Sequence, residues 1–396
     1  MRVYLDYNST TPVDPEVLDA MLPYLAGSYG NASSIHTSGQ FARNAVEHAR
    51  ESVAALIGAK PAEIVFTSGG TEADNLAILG AVESARHANP RPHVITTAIE
   101  HHAVLHACQK LAATGVEVTF VAPDANGIVS PQKVRAALQP NTVLLSVMNA
   151  NNELGAIQPI AEIAAIAREA KITIHTDAVQ SAGKIPIDVK ALGVDLLSLS
   201  AHKIYGPKGV GALYVKSGTK IEPQSFGGHH ERDLRPGTEN VAGIVGFGRA
   251  AKLARQRLVA DAPKIAALRD HFERAVSAQI PDAKVNAAAT PRTPNTSSFT
   301  FRAAEGESLV IALDLRGVEC STGAACSSGA VEPSHVLSAI GLSPEEARST
   351  VRFSLGRATT AAEIDFAIAA LAAALLHLRA LSPNYSAPAR VESKIA

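Results

Sequence analysis

The segment Asp195-Leu-Leu-Ser-Leu-Ser200-Ala-His202-Lys203-Ile-Tyr-Gly206-Pro-Lys-Gly209 carries an apolar strand straight into polar side chains and then into a turn rich in Gly and Pro. It is one of several short apolar stretches that alternate with helix-like stretches from Glu63 onward. We predict strands at residues 64–66, 93–97, 116–121, 143–148, 172–176, 196–199 and 210–215, and helices at residues 71–86, 103–113, 131–138 and 160–170. This alternation predicts an α/β fold in which helices flank a mainly parallel sheet, with ligands at the carboxyl ends of the strands.

The pattern changes near residue 255, which indicates a second unit. A helix is predicted from about residue 260 to 279, followed by a strand at 297–301, a helix at 305–315, a strand at 351–355 and a final helix at 361–378. We therefore expect a large domain over residues 16–256. A smaller α+β domain would be formed by residues 1–15 and 257–396.

Charge and cysteine content narrow the protein class. The 396 residues include 36 Lys or Arg and 37 Asp or Glu, so no general basic excess favours nucleic acid or an anionic membrane. Three cysteines are too few for a disulfide framework, which favours a reducing, cytoplasmic compartment. The longest apolar run near the C-terminus, residues 366–376, is shorter than the roughly 18 residues that a membrane span needs. We predict a soluble cytoplasmic protein.

Lys203 follows a buried strand, at the position where an α/β sheet presents ligands. Loss of solvent there lowers the pKa of a lysine, which suits Schiff-base formation with an aldehyde cofactor. The alternative for any lysine is a solvated position at a strand end. The neighbouring serine, histidine and Gly-Pro turn favour the cofactor role.

Asp177 stands in a similar place, within His175-Thr-Asp177-Ala-Val-Gln180 after another apolar strand. Pyridoxal phosphate (PLP) needs a carboxylate against its pyridine nitrogen, because a protonated ring is the better electron sink. Asp177 precedes Lys203 by about one crossover connection, so the two side chains can lie on opposite sides of one ring. Taken alone, Asp177 is as readily explained as a helix N-cap.

A third segment, Phe66-Thr-Ser-Gly69-Gly70-Thr71-Glu72, leads from a strand through a Gly-rich turn into a helix. Backbone N–H groups at a helix start can hold a phosphate. The segment has neither the Gly-Lys-Ser/Thr of a P-loop nor Gly-x-Gly-x-x-Gly, which counts against a dinucleotide fold. A simple capped turn explains this segment equally well when it is taken alone.

Cys326 lies in Cys320-Ser-Thr-Gly323-Ala-Ala-Cys326-Ser-Ser-Gly329, among small and polar residues. A free cysteine is most often buried and structural, but these neighbours make a core position unsuitable for Cys326. Cys320 in the preceding apolar stretch and Cys108 on a helix are interpreted as structural. His101 and His102 could be a solvated pair or zinc ligands, and the lack of a second ligand pair at suitable spacing counts against zinc.

The chain resembles fold-type I PLP enzymes of the aminotransferase class V group, and in particular the class I cysteine desulfurases (NifS/IscS-like). The resemblance runs over nearly the whole chain, from Tyr4-Leu-Asp-Tyr-Asn-Ser-Thr-Thr-Pro-Val to Val351-Arg-Phe-Ser-Leu-Gly-Arg357. Matching blocks between these ends include Gly30-Asn31-Ala-Ser, Glu100-His101-His-Ala-Val, Asn151-Asn152-Glu-Leu-Gly, the Lys203 segment and Arg235-Pro-Gly-Thr238-Glu-Asn.

The resemblance implies a role for each matching residue. The cofactor residues would be Lys203 as Schiff-base lysine, Asp177 at the pyridine nitrogen, His101 on the ring face, Gln180 and Asn152 at the ring hydroxyl, and Gly70, Thr71, Ser200 and His202 around the phosphate. Thr238 would reach that phosphate from a second subunit, which implies a homodimer. Asn31 and Arg352 would hold the carboxylate of the substrate.

The implied reaction converts L-cysteine to L-alanine, with His101 as an acid or base and Cys326 as the nucleophile that takes the sulfur as a persulfide. Cys326 would then supply an acceptor protein such as an iron–sulfur scaffold. A transient iron–sulfur contact at Cys326 is the one metal contact that we expect. A selenocysteine lyase or another class V PLP enzyme is the alternative, although an aminotransferase would have no need for Cys326.

Overall fold

A computed structural model of the chain describes residues 1–322, 333–382 and 385. The strands within this part are β1 (Val3–Tyr4), β2 (Ile64–Thr67), β3 (His93–Thr97), β4 (Glu117–Val121), β5 (Thr142–Ser146), β6 (Thr173–Asp177), β7 (Leu196–Ser200), β8 (Gly211–Val215), β9 (Ala283–Val285), β10 (Thr296–Phe301), β11 (Val318–Glu319) and β12 (Thr350–Ser354). The helices are α1 (Pro15–Leu25), α2 (Thr37–Leu56), α3 (Gly70–Arg86), α4 (His102–Ala113), α5 (Pro131–Ala136), α6 (Ile160–Ala170), α7 (Val189–Leu192), α8 (Val241–Gln279), α9 (Gly306–Asp314), α10 (His335–Ala339), α11 (Pro344–Arg348) and α12 (Ala361–Leu381).

The largest sheet has seven strands in the order β2-β8-β7-β6-β5-β3-β4. The neighbours from β7 to β4 are all parallel, whereas β8 runs antiparallel to both β7 and β2. Only ten residues separate the end of β7 from the start of β8, too few for the helical crossover that a parallel neighbour needs. The predicted α/β fold with a mainly parallel sheet is confirmed, with β8 as the reversed strand.

Burial explains why several strands of this sheet, including the edge strand β2, are so apolar. Every residue of β2, β3 and β7 is buried, because helices cover both faces of the sheet. The edge strand β4 keeps exposed residues at Glu117 and Phe120. The carboxyl ends of β6 and β7 therefore emerge side by side from the buried core.

A second core lies around a three-stranded antiparallel sheet, in the order β12-β10-β9. Phe272 of α8 packs against Phe299 and Phe353 of this sheet, with ring centroids 5.9 and 4.9 Å away. Val3 and Leu5 from the start of the chain belong to the same buried cluster. This arrangement supports the proposed small α+β unit.

Helix α8 is 39 residues long and connects the two units without a break. The sequence predicted a helix start near residue 260, but the helix begins at Val241, where the side chain of Asn240 accepts a hydrogen bond from Gly243 N. Glycines in the first turns had obscured the helix, and the structure shows why one is needed. A Cβ on Gly248 would clash with the backbone of α2 at Ala49. The proposed division at residues 256 and 257 falls inside this helix.

Helix α12 is the one element, within the described residues, long and apolar enough to cross a membrane by length and composition. Its 21 residues extend beyond the apolar run that the sequence analysis considered. Ile364, Leu371 and Leu375 are buried in the small unit's core, and this packing accounts for the apolar composition.

Candidate active site

Lys203 and Asp177 meet at the carboxyl edge of the large sheet. Strands β6 and β7 are parallel neighbours with Asp177 opposite Ser198, and a short 3-10 turn, Ala201–Lys203, follows β7 directly. The charges of the two side chains influence each other's pKa, which reflects this proximity. The structure thus brings the two residues to the ends of neighbouring strands, as the crossover spacing predicts.

Lys203 is held by the start of the chain. Its Nζ donates hydrogen bonds to the backbone oxygens of Asn8, at 2.6 Å, and Ser9, at 2.8 Å. Burial lowers the pKa of Lys203 to about 8, assisted by the positive charge of Arg352 and opposed by Asp177 and Asp6. A larger fraction of this amine is thus neutral near physiological pH than of an ordinary lysine, and a neutral amine can attack an aldehyde.

Asp177 is buried, and one of its oxygens accepts a hydrogen bond from Val179 N at 2.8 Å. Burial raises the pKa of Asp177 to about 6, whereas that hydrogen bond and the charge of Lys203 lower it. A carboxylate in this position is stabilised by a cationic N–H partner. A protonated pyridine nitrogen is such a partner, so the residue fits the cofactor assigned by resemblance.

His101 caps helix α4, and its Nδ1 accepts a hydrogen bond from Ala103 N at 3.2 Å. Burial lowers the pKa of His101 to about 4, and the charges of Lys203 and of neighbouring histidines lower it further. The ring is therefore neutral at physiological pH. Because Nδ1 accepts, its proton lies on Nε2. The residue keeps solvent access even though protein atoms crowd around it, as expected for a group lining a cleft.

The candidate phosphate residues gather at the start of α3. A Cβ on Gly70 would lie 2.7 Å from Cγ2 of Val179 and 3.6 Å from Cβ of Ser200, so only glycine lets the helix start approach this closely. Ser200 is buried, whereas Thr71 is exposed. Backbone N–H groups and the helix dipole point from α3 toward this corner, which fits a phosphate.

His202 is tied to the N-terminal segment on the other side of the turn. Its Nδ1 lies 3.1 Å from Oγ1 of Thr10, and its backbone oxygen accepts hydrogen bonds from Thr11. Burial lowers the pKa of His202 to about 4, as does the charge of Lys203. The ring is therefore neutral. Its Nε2 can donate a hydrogen bond only in the tautomer that carries the proton on Nε2.

Gln180 and Asn152 meet at Asn8. The side-chain nitrogen of Gln180 donates to the backbone oxygen of Asn8 at 2.8 Å, and its oxygen accepts from Nζ of Lys184 at 2.6 Å. Asn152 contributes its backbone oxygen, which accepts from Nδ2 of Asn8 at 3.0 Å and from Nη1 of Arg352 at 3.1 Å. Both predicted residues thus lie at the site.

Arg352 is 4% exposed and lies on β12, in the small unit. Its Nη2 donates to Asp6 Oδ1 and Ser9 Oγ, both at 2.8 Å. Its Nε is buried and has no hydrogen-bond partner within the described residues. An unmet buried guanidinium N–H costs free energy, and a carboxylate ligand would satisfy it.

Two predicted residues are not brought to this cluster. Asn31 is exposed, and its side-chain oxygen accepts a hydrogen bond from Ser33 N at 2.8 Å. Thr238 is also exposed. Across residues 1–322 and 333–382, no hydrogen bond or ion pair joins either residue to Lys203, Asp177 or Arg352.

Cys326 lies outside the described residues, but the chain on both sides of it is attached to the site. Ser321 forms a backbone bridge with Arg352, donating N–H to its oxygen at 3.2 Å. On the other side, Ser334 Oγ donates to Glu153 Oε2 at 2.6 Å. The Nε2 atom of His335 lies 2.9 Å from the backbone oxygen of Glu100. Both attachments lie at elements that contribute active-site residues.

Asn8 is the central residue that the sequence analysis missed. The N-terminal segment was expected beside the small unit, and the match of Tyr4-Leu-Asp-Tyr-Asn-Ser gave no role to the asparagine. The available signal was a run of polar residues directly after a strand. Asp6, Ser9 and Lys184 were missed with it. No group of three or more His, Cys, Asp or Glu residues in the described part of the chain could hold a metal ion.

Comparisons with known proteins agree over nearly the full length. The family model for aminotransferase class-V matches residues 3–366. A cysteine desulfurase IscS of Dictyoglomus turgidum is 49% identical over 382 residues, covering 96% of both chains. One of Anaeromyxobacter dehalogenans is 50% identical over 386 residues, covering 97% of this chain and 95% of that one.

Solved structures show the same likeness. A NifS-like protein superposes with a TM-score of 0.88 at 36% identity, covering 95% of this chain and 100% of that one. SspA in complex with cysteine superposes with a TM-score of 0.80 at 40% identity, covering 90% and 99%. The resemblance stated from the sequence is confirmed. The chain belongs to the aminotransferase class-V family and, within it, to the cysteine desulfurases.

Proposed function

We propose that the enzyme uses PLP to convert L-cysteine to L-alanine and transfers the sulfur to Cys326 as a persulfide. One observation carries the proposal: a lysine of lowered pKa, a buried carboxylate and a buried arginine with an unmet N–H converge at one sheet edge. The names of the relatives, and the cysteine bound in one solved structure, support the substrate.

The residues of this edge fit the cofactor. Lys203 would bind its aldehyde carbon and Asp177 its pyridine nitrogen, with the ring held by His101, Gln180 and Asn152 and the phosphate by Gly70, Thr71, Ser200, His202 and Thr238 of a second copy. When bound, PLP supplies an electron sink that makes the α-proton of an amino acid acidic. The lowered pKa of Lys203 lets its neutral amine accept that proton.

Arg352 is suited to bind the substrate carboxylate. Asp6 and Ser9 occupy its Nη2, which holds the guanidinium in place, while its Nε remains for the ligand. Asn31 would complete this binding. His101 carries its proton on Nε2, on the side away from its helix cap, where it can donate to a group in the cleft.

The sulfur step needs Cys326 to reach the substrate. Cys326 follows Thr322 by four residues in the sequence, and Ser321, the neighbour of Thr322, is bridged to Arg352. The thiolate would form an S–S bond with the substrate sulfur as the C–S bond breaks. The bonding pair stays on the substrate carbon, which is then protonated to give alanine. An acceptor protein, such as an iron–sulfur scaffold, would take the sulfur.

A homodimer in the cytoplasm is part of the proposal. The side chains of Leu18, Leu22 and Leu25 recur at helical spacing on α1 and are 46%, 51% and 61% exposed. Phe41 of α2 is also exposed and stacks on Tyr24, with ring centroids 5.9 Å apart. An apolar surface of this extent supports a protein interface. We call these five residues the α1–α2 apolar surface.

The test is incubation of the purified holoenzyme with L-cysteine, measuring alanine and trapping a persulfide for mass spectrometry. Cys326→Ser should keep bound PLP but lose persulfide and sulfide formation, whereas the control Cys320→Ser should keep both. Lys203→Ala should lose the characteristic cofactor absorbance and all turnover. Sulfide release by Cys326→Ser at the parent rate would contradict the nucleophile assignment. Absence of alanine from the parent would contradict the proposed reaction.

A further inference from the structure

Lys184 is a second lysine at the site, and no step proposed above uses it. Its Nζ donates hydrogen bonds to Gln180 Oε1 at 2.6 Å and to Asn8 Oδ1 at 3.0 Å. Lys184 and Lys203 both line a cavity of about 40 Å³ beside Asn295. Burial holds the pKa of Lys184 well below its ordinary value, as do the charges of Lys203 and Arg352. Keeping such an amine buried costs free energy, and its two hydrogen bonds act on Gln180 and Asn8.

The amide of Gln180 is held between two groups of opposite character. On one side stands the backbone oxygen of Asn8, which can only accept, 2.8 Å from Gln180 Nε2. On the other side Lys184 donates to Gln180 Oε1. Turning the amide over would place Gln180 Oε1 against the backbone oxygen of Asn8. It would also place Gln180 Nε2 against the donor of Lys184. With Lys184 in place, the amide therefore has one orientation, and Nε2 retains a second hydrogen for another acceptor.

Asn8 is oriented by the same lysine. Its Oδ1 accepts from Lys184 and from Asn295 Nδ2, the latter at 2.9 Å. Its Nδ2 consequently faces acceptors, the Asn152 oxygen at 3.0 Å and Thr296 Oγ1 at 2.9 Å. The backbone oxygen of Asn8 also accepts from Lys203. Lys184 thus supports both the amide of Gln180 and the residue that holds Lys203.

We infer that Lys184 is a positioning residue, which fixes the Gln180 amide with its nitrogen toward the ring hydroxyl of the bound cofactor. The inference rests on the proposed function, in which Gln180 contacts that hydroxyl. A donor on the ring oxygen stabilises its deprotonated form and makes the conjugated chromophore less basic. Loss of the fixed donor should therefore raise the pH at which the bound cofactor changes its absorbance.

The experiment compares holoenzyme spectra of the parent and Lys184→Met across pH. Methionine fills similar space and cannot donate, so we expect the midpoint of the absorbance change to rise by roughly half a pH unit or more. We also expect kcat to fall about tenfold with a smaller change in KM. Lys252→Met, an exposed lysine of α8, is the matched control and should match the parent. If Lys184→Met does not fold, Lys184→Leu, which likewise cannot donate, serves for the same measurement.

A double-mutant cycle separates positioning from a simple charge effect. The titratable or charged groups that face Lys203 and Lys184 come from several elements, namely Asp6, His101, Asp177, His202 and Arg352. In a Gln180→Leu background, the shift caused by Lys184→Met should vanish. An equal shift in both backgrounds, or no shift in either, would overturn the inference. A parent that forms no alanine would instead overturn the proposed function.

Discussion

At the scale of single residues, Glu100 shows the cost of burying a carboxyl group, next in sequence to His101. Its Oε1 accepts from Thr97 Oγ1 at 2.7 Å and from Met148 N at 2.9 Å, while its buried Oε2 has no partner in the described part of the chain. Burial raises the pKa of Glu100 to about 8, although those two hydrogen bonds lower it. A proton on Oε2 is therefore part of the folded state near neutral pH.

This protonation makes stability depend on pH. Because the folded-state pKa is raised, the contribution of Glu100 is fully present below its ordinary pKa and is lost as pH rises to about 8. Glu100→Gln mimics the protonated form and does not titrate. We expect its free energy of unfolding, relative to the parent, to increase by about 2 kcal/mol between pH 6 and pH 8.

Urea unfolding of the cofactor-free proteins at both pH values checks this expectation. Glu51→Gln, an exposed glutamate of α2, is the control and should differ from the parent by the same amount at both pH values. A constant difference between Glu100→Gln and the parent would show that Glu100 is already ionised in the folded state.

The sequence allowed some site residues to be placed and left others unassigned for a physical reason. Lys203 and Asp177 each follow an apolar strand, and neighbouring parallel strands bring such positions together. Lys184 has no such local pattern, and the strand before Asn8 is only two residues long. Their contacts join residues 176 positions apart, through a segment whose path depends on packing of the whole chain. The roles assigned to the site residues by resemblance stay predictions.

At the scale of elements, the start of α3 depends on the absence of a side chain at Gly70. A Cβ there would meet Val179, a β-branched residue with little freedom to move. Gly70→Ala should therefore push α3 away from β7 and weaken PLP binding about tenfold. Equilibrium titration of the cofactor-free protein with PLP, followed by absorbance, measures the change.

Two variants test the proposed cause of this weakening. Gly80→Ala lies on the same helix, and its Cβ would meet the backbone oxygen of Glu222 at 2.6 Å, far along α3 from the site. It should lower stability and leave PLP affinity unchanged. Adding Val179→Ala to Gly70→Ala should restore most of the affinity. Failure of that rescue would mean that Gly70 acts by another route.

Element prediction from the sequence succeeded where patterns are local and failed where packing decides. The bounds of β3 and α6 agree with the prediction, since each is a short apolar or amphipathic run with clear ends. The first half of α8 was missed, because Gly243, Gly246 and Gly248 lower helix propensity. Gly246 and Gly248 are explained only by their close neighbours Met21 and Ala49, which belong to other helices.

At the scale of the whole molecule, the α1–α2 apolar surface predicts self-association. Leu25→Glu should place a charge in the proposed interface and convert the dimer to single chains, as measured by sedimentation equilibrium. PLP affinity should fall as well, because the proposed contact of the second copy's Thr238 with the phosphate would be lost. Leu315→Glu, at a leucine that is 81% exposed in the small unit, should remain dimeric. A dimeric Leu25→Glu protein would place the interface elsewhere.

The attachment of the N-terminal segment has a consequence for biosynthesis. Val3 pairs with Val318, and the backbone N–H of Asn8 bonds to Ser354 Oγ, 346 positions later. The segment from Val3 to Asn8 therefore waits for the synthesis of Ser354 before Lys203 gains its acceptors in their final place. At about 5–20 residues per second, this wait lasts roughly 20–70 s. The large sheet is synthesised without the completed edge at Lys203 during that time, so the proposed capture of PLP would follow the synthesis of β12.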